Sequence, residues 1–261
     1  MRSLKVALSS VLALAATSSL AGAEMAAGLV GDKTIVLIDS SKKAVTRSME
    51  VTGVGRLLGI DVRPSNKMLY GVAVDGTVVT IDTASGKAAQ VSKLDMMLPE
   101  ANVAIVDFNP AADKLRLMGL DGTNLRGDVD TGKVTKDGSL AFEKEDMHAN
   151  EKPNIVAAAY SNSYGKPEKT AMYDIDSTIV ALVQQTKPND GTLKAIGKLG
   201  IDKAQAYAFD IYTSPEGINT AWLIADNTLH TVALDTGKAT MVGKLAGVTG
   251  MIRDVAVLPK Q

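Results

Sequence analysis

The sequence predicts an all-β protein: a five-bladed β-propeller with four-stranded blades, closed by pairing of a C-terminal strand with three N-terminal strands. Three observations carry this reading. Short runs rich in Val, Ile, Thr and Leu alternate with clusters of Gly, Asp, Asn, Ser and Pro, and no amphipathic helical period persists for three turns. A unit of four such runs recurs. The unit is also incomplete at both ends of the chain, and the two fragments complement each other.

The units follow in chain order. Residues 28–49 hold three strands without an opening one, with Ile38-Asp39-Ser40-Ser41-Lys42-Lys43 at the last turn. The first whole unit opens at Gly59-Ile60-Asp61-Val62-Arg63-Pro64, turns at Asp82-Thr83-Ala84-Ser85-Gly86-Lys87 and ends near Leu94. The next opens at Val106-Asp107-Phe108-Asn109-Pro110, turns at Asp130-Thr131-Gly132-Lys133 and ends near Leu140. A third runs from Val156-Ala157-Ala158-Ala159-Tyr160 through Tyr173-Asp174-Ile175-Asp176 to Leu199. A fourth opens at Ala208-Phe209-Asp210-Ile211-Tyr212, turns at Asp235-Thr236-Gly237-Lys238 and ends near Leu245. Finally Arg253-Asp254-Val255-Ala256-Val257 is an opening strand with nothing after it.

Aligned on Asp61, Asp107, Ala158, Asp210 and Asp254, the steps are 46, 51, 52 and 44 residues, close to the roughly 40–50 of a four-stranded blade. At the D-T-G-K turns, Asp and Thr side chains are expected to satisfy nearby backbone N–H groups, and Gly to supply the positive φ of a tight hairpin. Joining the C-terminal strand to the N-terminal three completes a fifth blade and removes open sheet edges. Two stacked sheets of hairpins would leave the split unit unexplained.

Ahead of the repeats, Arg2 and Lys5 precede an uncharged stretch, residues 6–20, and Ala21-Gly22-Ala23 has the form of a cleavage site. That order predicts a signal peptide over residues 1–23 and one domain over 24–261, periplasmic or secreted. The apolar part, about fifteen residues, falls short of the roughly 20 that span a bilayer, and no second such stretch follows, so no membrane insertion is expected after cleavage. Losing Arg2 and Lys5 leaves 26 basic against 29 acidic side chains, a net charge of −3. Such a balance does not draw the chain to nucleic acid or an anionic membrane. The chain has no cysteine, which rules out thiolate metal sites, a Cys nucleophile and a lipoprotein anchor. A monomer is expected.

Four opening-strand aspartates, Asp61, Asp107, Asp210 and Asp254, are expected to face the central channel as an acidic ring. Several carboxylates at one level suit Ca²⁺, a hard ion taking six to eight oxygens or so. Alternatively each Asp accepts a backbone amide of the next blade and holds the blades in register. Two longer loops, residues 161–169 with Asn162 and Tyr164 and residues 184–191 with Asn189 and Asp190, offer groups suited to a small polar ligand. His148 stands in the charged run Glu143-Lys144-Glu145-Asp146-Met147-His148, read as a solvated loop. His230 sits within a strand, far in sequence from a second His. No G-x-S-x-G, P-loop, H-E-x-x-H or dinucleotide fingerprint occurs. The single Trp222 and three Phe argue against a stacking platform for sugars or bases.

Val156-Ala157-Ala158-Ala159-Tyr160-Ser161-Asn162-Ser163, Tyr173-Asp174-Ile175-Asp176, Pro188-Asn189-Asp190-Gly191-Thr192-Leu193 and Asp130-Thr131-Gly132 together resemble a bacterial exported family, domain of unknown function 4394. The resemblance covers nearly the whole mature chain. It implies a propeller-like fold and an exported protein, and no reaction. The charged stretch 143–152 departs from the Gly/Ala-rich sequence of that family. Two functional expectations remain: a binding or scaffold module for a small polar ligand or an envelope protein, or a Ca²⁺-dependent propeller hydrolase of the lactonase kind using the aspartates or Glu100 and Asn102.

Overall fold

The structure, a computed structural model, describes residues 25–99 and 103–259. The expected signal peptide, Glu24, Glu100 and Asn102 lie outside the described residues.

Strands β1 (Met25–Val30), β2 (Thr34–Asp39) and β3 (Ala44–Glu50) form an antiparallel meander. The second blade is β4 (Leu57–Arg63), β5 (Met68–Ala73), β6 (Thr77–Ile81) and β7 (Ala88–Lys93). The third is β8 (Ala104–Asn109), β9 (Lys114–Gly119), β10 (Asn124–Gly127) and β11 (Val134–Lys136). After the two-residue β12 (Ala141–Phe142), the fourth blade runs through β13 (Ile155–Tyr160), β14 (Met172–Asp176), β15 (Ala181–Lys187) and β16 (Thr192–Lys198). The fifth is β17 (Tyr207–Thr213), β18 (Asn219–Ala225), β19 (Thr228–Val232) and β20 (Ala239–Lys244). Last comes β21 (Ile252–Val257), which joins the first sheet in the order β21-β1-β2-β3.

This is a five-bladed propeller, closed as the split repeat requires. β21 pairs antiparallel with β1 from Ala26↔Val257 to Val30↔Ile252, and the Leu258 amide donates to the Met25 carbonyl at 2.9 Å. The inner strands β4, β8, β13, β17 and β21 touch in that order and return to β4. Five apolar clusters fill the spaces between successive blades, one per interface. That placement follows from strand geometry. Alternate side chains of a blade face its two neighbours, so inner and middle strands are apolar on both faces, whereas outermost β3 and β7 are largely exposed.

The turn between the third and fourth strands has a second role: it stitches each blade to the one before. Gly86, Gly132, Gly191 and Lys43 carbonyls accept amides from Thr52, Asp95, Ala141 and Ala246 at 2.9–3.0 Å, and in the fifth blade Ala239 donates to Leu199 at 2.9 Å. Glycine is needed twice over at Gly86 and Gly132: φ is +75° and +76°, and a Cβ would run into the neighbouring carbonyls of Glu50 and Lys93. In the first blade Lys43 adopts φ +53° at the corresponding place.

One expectation needs correction. In the turns, Thr131 and Thr236 accept the amides of Lys133 and Lys238 as expected. In the second blade the expected Asp82 caps its turn, but in the third the capping carboxylate is Asp128, four residues before the glycine, and not Asp130. Asp130 instead turns to Arg63, whose guanidinium forks onto Asp130 at 2.7 Å and onto Asp113 at 2.8–2.9 Å. The charged stretch 143–148 is the loop expected, with Lys144, Glu145 and Met147 exposed, but it is tied to the fourth blade. β12 adds a parallel fifth strand to the fourth blade (Ala141↔Thr192, Phe142↔Leu193). Asp146 accepts the Ala195 amide at 2.8 Å, and Phe142 is buried against His148. Unpaired backbone on β16 and the side chain of Phe142 are what recruit it.

Candidate functional site

The inner-strand aspartates reach from blade to blade. Asp61 Oδ2 accepts the Phe108 amide at 2.7 Å, Asp107 Oδ1 the Tyr160 amide at 2.9 Å, and Asp254 Oδ2 the Ile60 amide at 2.7 Å. Asp210 Oδ2 accepts the Val257 amide. These bonds lock neighbouring inner strands at fixed heights, which an apolar side chain could not do. They also revise the alignment. Asp61 takes the amide of the residue after Asp107. By that offset Asp107 faces Ala159 rather than Ala158, and Asp254 faces Gly59, where a Cβ would lie 2.7 Å from its Oδ2. Asp254 therefore sits two residues along the channel from the others, about 7 Å at the rise of a strand. Asp61, Asp107 and Asp210 can each bring one oxygen within 4.8 Å of the other two; the expected ring of four is a cluster of three.

Burial raises the proton affinity of these groups. Asp61 and Asp107 are pushed well above the usual carboxylate range by desolvation and then by neighbouring carboxylates. Asp210 moves the same way through burial. Asp254 keeps some exposed surface, yet the protein packed around it takes it to about 7. Farther out in the fourth blade, Asp174 is 0% exposed and is pushed to about 8 by burial, despite a 2.9 Å bond from Gln185.

These shifts predict an unusual pH profile. Between the unfolded value near 3.9 and the folded value, the native protein binds more protons than the unfolded chain. Stability therefore falls as pH rises, by about 1.4 kcal/mol per unit for each group within its window. The exposed turn carboxylates act oppositely: the Lys114 ion pair takes Asp128 down to about 2, and that contribution is lost only under strong acid. Maximum stability is expected near pH 4. Asp174 alone should lower Tm by about 5 °C or more between pH 6 and 8. Thermal melts in EDTA-containing buffer at pH 5, 6, 7 and 8 measure this, with Asp174→Asn flattening the slope. A Tm that climbs from pH 5 to 8 would contradict the buried-carboxyl assignment.

Above the three aspartates lies a cavity of about 150 Å³. In an antiparallel blade, the connections from first to second and from third to fourth strand emerge on one face, and the cavity opens on that face. Its buried end is Asp61, Asp107 and Asp210; its rim carries Lys67, Tyr164 and Pro215. Tyr164, 51% exposed, thus joins the aspartates at one site. Asn162 does not: with φ +61° it is tied to Asn219 and to the Lys169 carbonyl. Asn189 and Asp190 line a separate shallow pocket on the other side of Tyr160. Asn189 Oδ1 is held by Arg116 at 3.0 Å.

Sequence reasoning missed Lys67, Tyr160 and Tyr212 in the cavity wall, and it missed Arg116. The Arg116 side chain, 2% exposed, bonds Asn124, Asp137, Asn189 and Tyr160 at 2.6–3.2 Å. The one available signal was an arginine flanked by leucines in the middle of a buried strand. His148 bonds Glu151, and His230 the Thr228 carbonyl, both at 3.0 Å; neither meets the cavity.

Comparison with known proteins adds a family and a fold. A family model described as "Domain of unknown function (DUF4394)" matches residues 34–256. A crystal structure of a structural genomics protein of unknown function from Bacteroides thetaiotaomicron VPI-5482 is similar, with TM-score 0.53 and 15% identity over 92% of this chain. This chain spans 66% of that one's length. Similarity at that identity shows the fold alone. No curated protein matches.

Proposed function

The chain belongs to the DUF4394 family, and from that premise we propose that it is an exported, non-enzymatic binding module that takes a small polar molecule into the channel-mouth cavity. The observation that carries the reading is convergence. Inner strands of three blades deliver Asp61, Asp107 and Asp210 to the floor of one cavity, and loops of two blades place Lys67 and Tyr164 over it. Rigid strands beneath adaptable loops are the usual arrangement of a binding site. A volume of about 150 Å³, small beside the roughly 300–1,000 Å³ of drug-sized sites, leaves room inside for a group of a few heavy atoms, the rest of a larger molecule standing out of the mouth.

A second reading, the Ca²⁺-dependent hydrolase, draws on the same three carboxylates. Most of their oxygens already accept backbone amides: both of Asp61 (Val62 and Phe108), both of Asp210 (Ile211 and Val257) and Oδ1 of Asp107. One uncommitted carboxylate oxygen is a poor start toward the six to eight or so that Ca²⁺ takes.

Thermal shift against small sugars, amino acids, amines and divalent ions tests the binding reading. A ligand at a hundred times its Kd adds about 2.7 kcal/mol, a rise of roughly 5–10 °C for a chain of this size. That rise should shrink by about a third in Tyr164→Ala if binding weakens about five-fold. Shifts that survive the substitution unchanged would place binding elsewhere. One stoichiometric divalent ion in the purified protein would favour the hydrolase.

A further inference from the structure

We infer that the occupant of the channel-mouth cavity is a small organic cation: an ammonium ion with apolar substituents, held between the inner carboxylates and tyrosine walls. This rests on the cavity reading above and narrows it to one chemical class.

The first observation is an acceptor without a donor. Asp107 is 4% exposed and lines the cavity. Its Oδ1 accepts the Tyr160 amide, while Oδ2 has no hydrogen bond among the described residues. Burial and the neighbouring carboxyls raise the proton affinity of this group, and a bound ammonium would stand in for that proton, its N–H or its positive charge stabilising the bare carboxylate. The second observation is the balance of charge. Three carboxyl groups at the floor face one cationic side chain at the rim, exposed Lys67, which makes no ion pair among the described residues.

The third observation is where the rings are. The chain has ten aromatic side chains, and four of them, Phe108, Tyr160, Tyr164 and Tyr212, line this one cavity. A cation over an aromatic face is attracted by the ring quadrupole, and quaternary ammonium groups are recognised this way. The low aromatic content that spoke against a stacking platform conceals this concentration.

The remaining polar groups disfavour a neutral polyol. Ser163 Oγ donates to the Ile211 carbonyl, the Thr213 hydroxyl to Asn219, and the Tyr160 hydroxyl accepts from Arg116. These groups are already engaged inside the protein, which leaves the Tyr164 and Tyr212 hydroxyls and Lys67 as the other polar side-chain groups of the lining above the aspartates. The committed oxygens of Asp61 and Asp210 likewise disfavour a bare divalent ion, as argued above. What remains is one carboxyl oxygen without a hydrogen bond at the floor and four aromatic side chains in the wall, with Lys67 exposed at the rim.

Isothermal titration of the full protein with tetramethylammonium chloride, propylammonium chloride, methyl α-glucoside and CaCl₂ tests the inference. We expect one of the ammonium ions to bind with a stoichiometry of one. Asp107→Asn keeps an acceptor for the Tyr160 amide and should weaken binding at least tenfold. Tyr164→Ala, at an exposed position, should weaken it several-fold, so the test survives if Asp107→Asn misfolds. Binding of the glucoside but of neither ammonium ion would overturn the cation class and leave the cavity reading standing. Binding of Ca²⁺ alone would make this a metal site and overturn the inference. Silence from all four probes would overturn both readings.

Discussion

A chain that stops at Gly250 is expected to lose the cooperative fold of the entire ring. Residues 251–261 contain β21, which is at once the inner strand of one blade and the neighbour of two others. Its removal strips Ile252, Val255 and Val257 from the cluster between the fifth and first blades, and Ala256 from the next one. Burying three such side chains stabilises by roughly 5–9 kcal/mol. The polar losses add to this. Asp210 loses the Val257 amide and Ile60 loses the Asp254 carboxylate. The carbonyls of Gly31, Leu57 and Leu58 lose the Arg253 guanidinium, which bonds them at 2.6–2.7 Å. Against a typical domain stability of about 5–15 kcal/mol, the sum removes the folded state at 25 °C. Circular dichroism should show no cooperative melt. A truncated chain that melts within a degree or two of the full one would refute the closure.

Arg116→Ala should be the most damaging single substitution. The guanidinium joins strand β9 to the end of β11, to the last turn of the fourth blade and to inner strand β13, with 2.6 Å to Asp137 and 2.8 Å to Asn124. Truncating one partner of a buried ion pair costs about 3–5 kcal/mol, because the other charge stays buried. Arg126, 3.1 Å from Asp137, compensates that carboxylate in part, so the lower half of the range is expected. The corresponding fall in Tm is about 6–14 °C. Pairing the substitution with Asp137→Asn should recover part of the loss, since no charge is then stranded. A fall of less than about 2 °C would mean that Arg116 is solvated in the folded state.

The blade count and the ring closure were legible because both are written locally. Period-two apolar runs, turn glycines and a leftover strand can each be read within fifty residues. The cavity was legible only in its floor. Asp61, Asp107 and Asp210 repeat with the blades, and Tyr164 stood out in a long loop. Tyr160 and Tyr212 looked like ordinary strand residues. What gives them a role is a neighbour some fifty residues away, and no local pattern records that. Asp130 illustrates the same limit: in sequence it is a turn residue, whereas the folded chain lends it to Arg63 across a blade boundary. Asp254 misled for a subtler reason. Its spacing matches the other aspartates to within a few residues, but a two-residue displacement along a strand preserves the facing direction and changes the height.

The pairing of β21 with β1 also orders events in time. The two strands are separated by more than two hundred residues, so the closing contact is the most non-local in the molecule and carries the largest loop-closure cost. In a chain delivered N-terminus first, β1 to β3 emerge early and wait as an incomplete sheet with one bare edge while four blades form behind them. The native state cannot be sealed until the final strand arrives. Folding of this ring is thus tied to completion of the chain, and the interval before closure is when the waiting edge of β1 is open to pairing with the wrong strand.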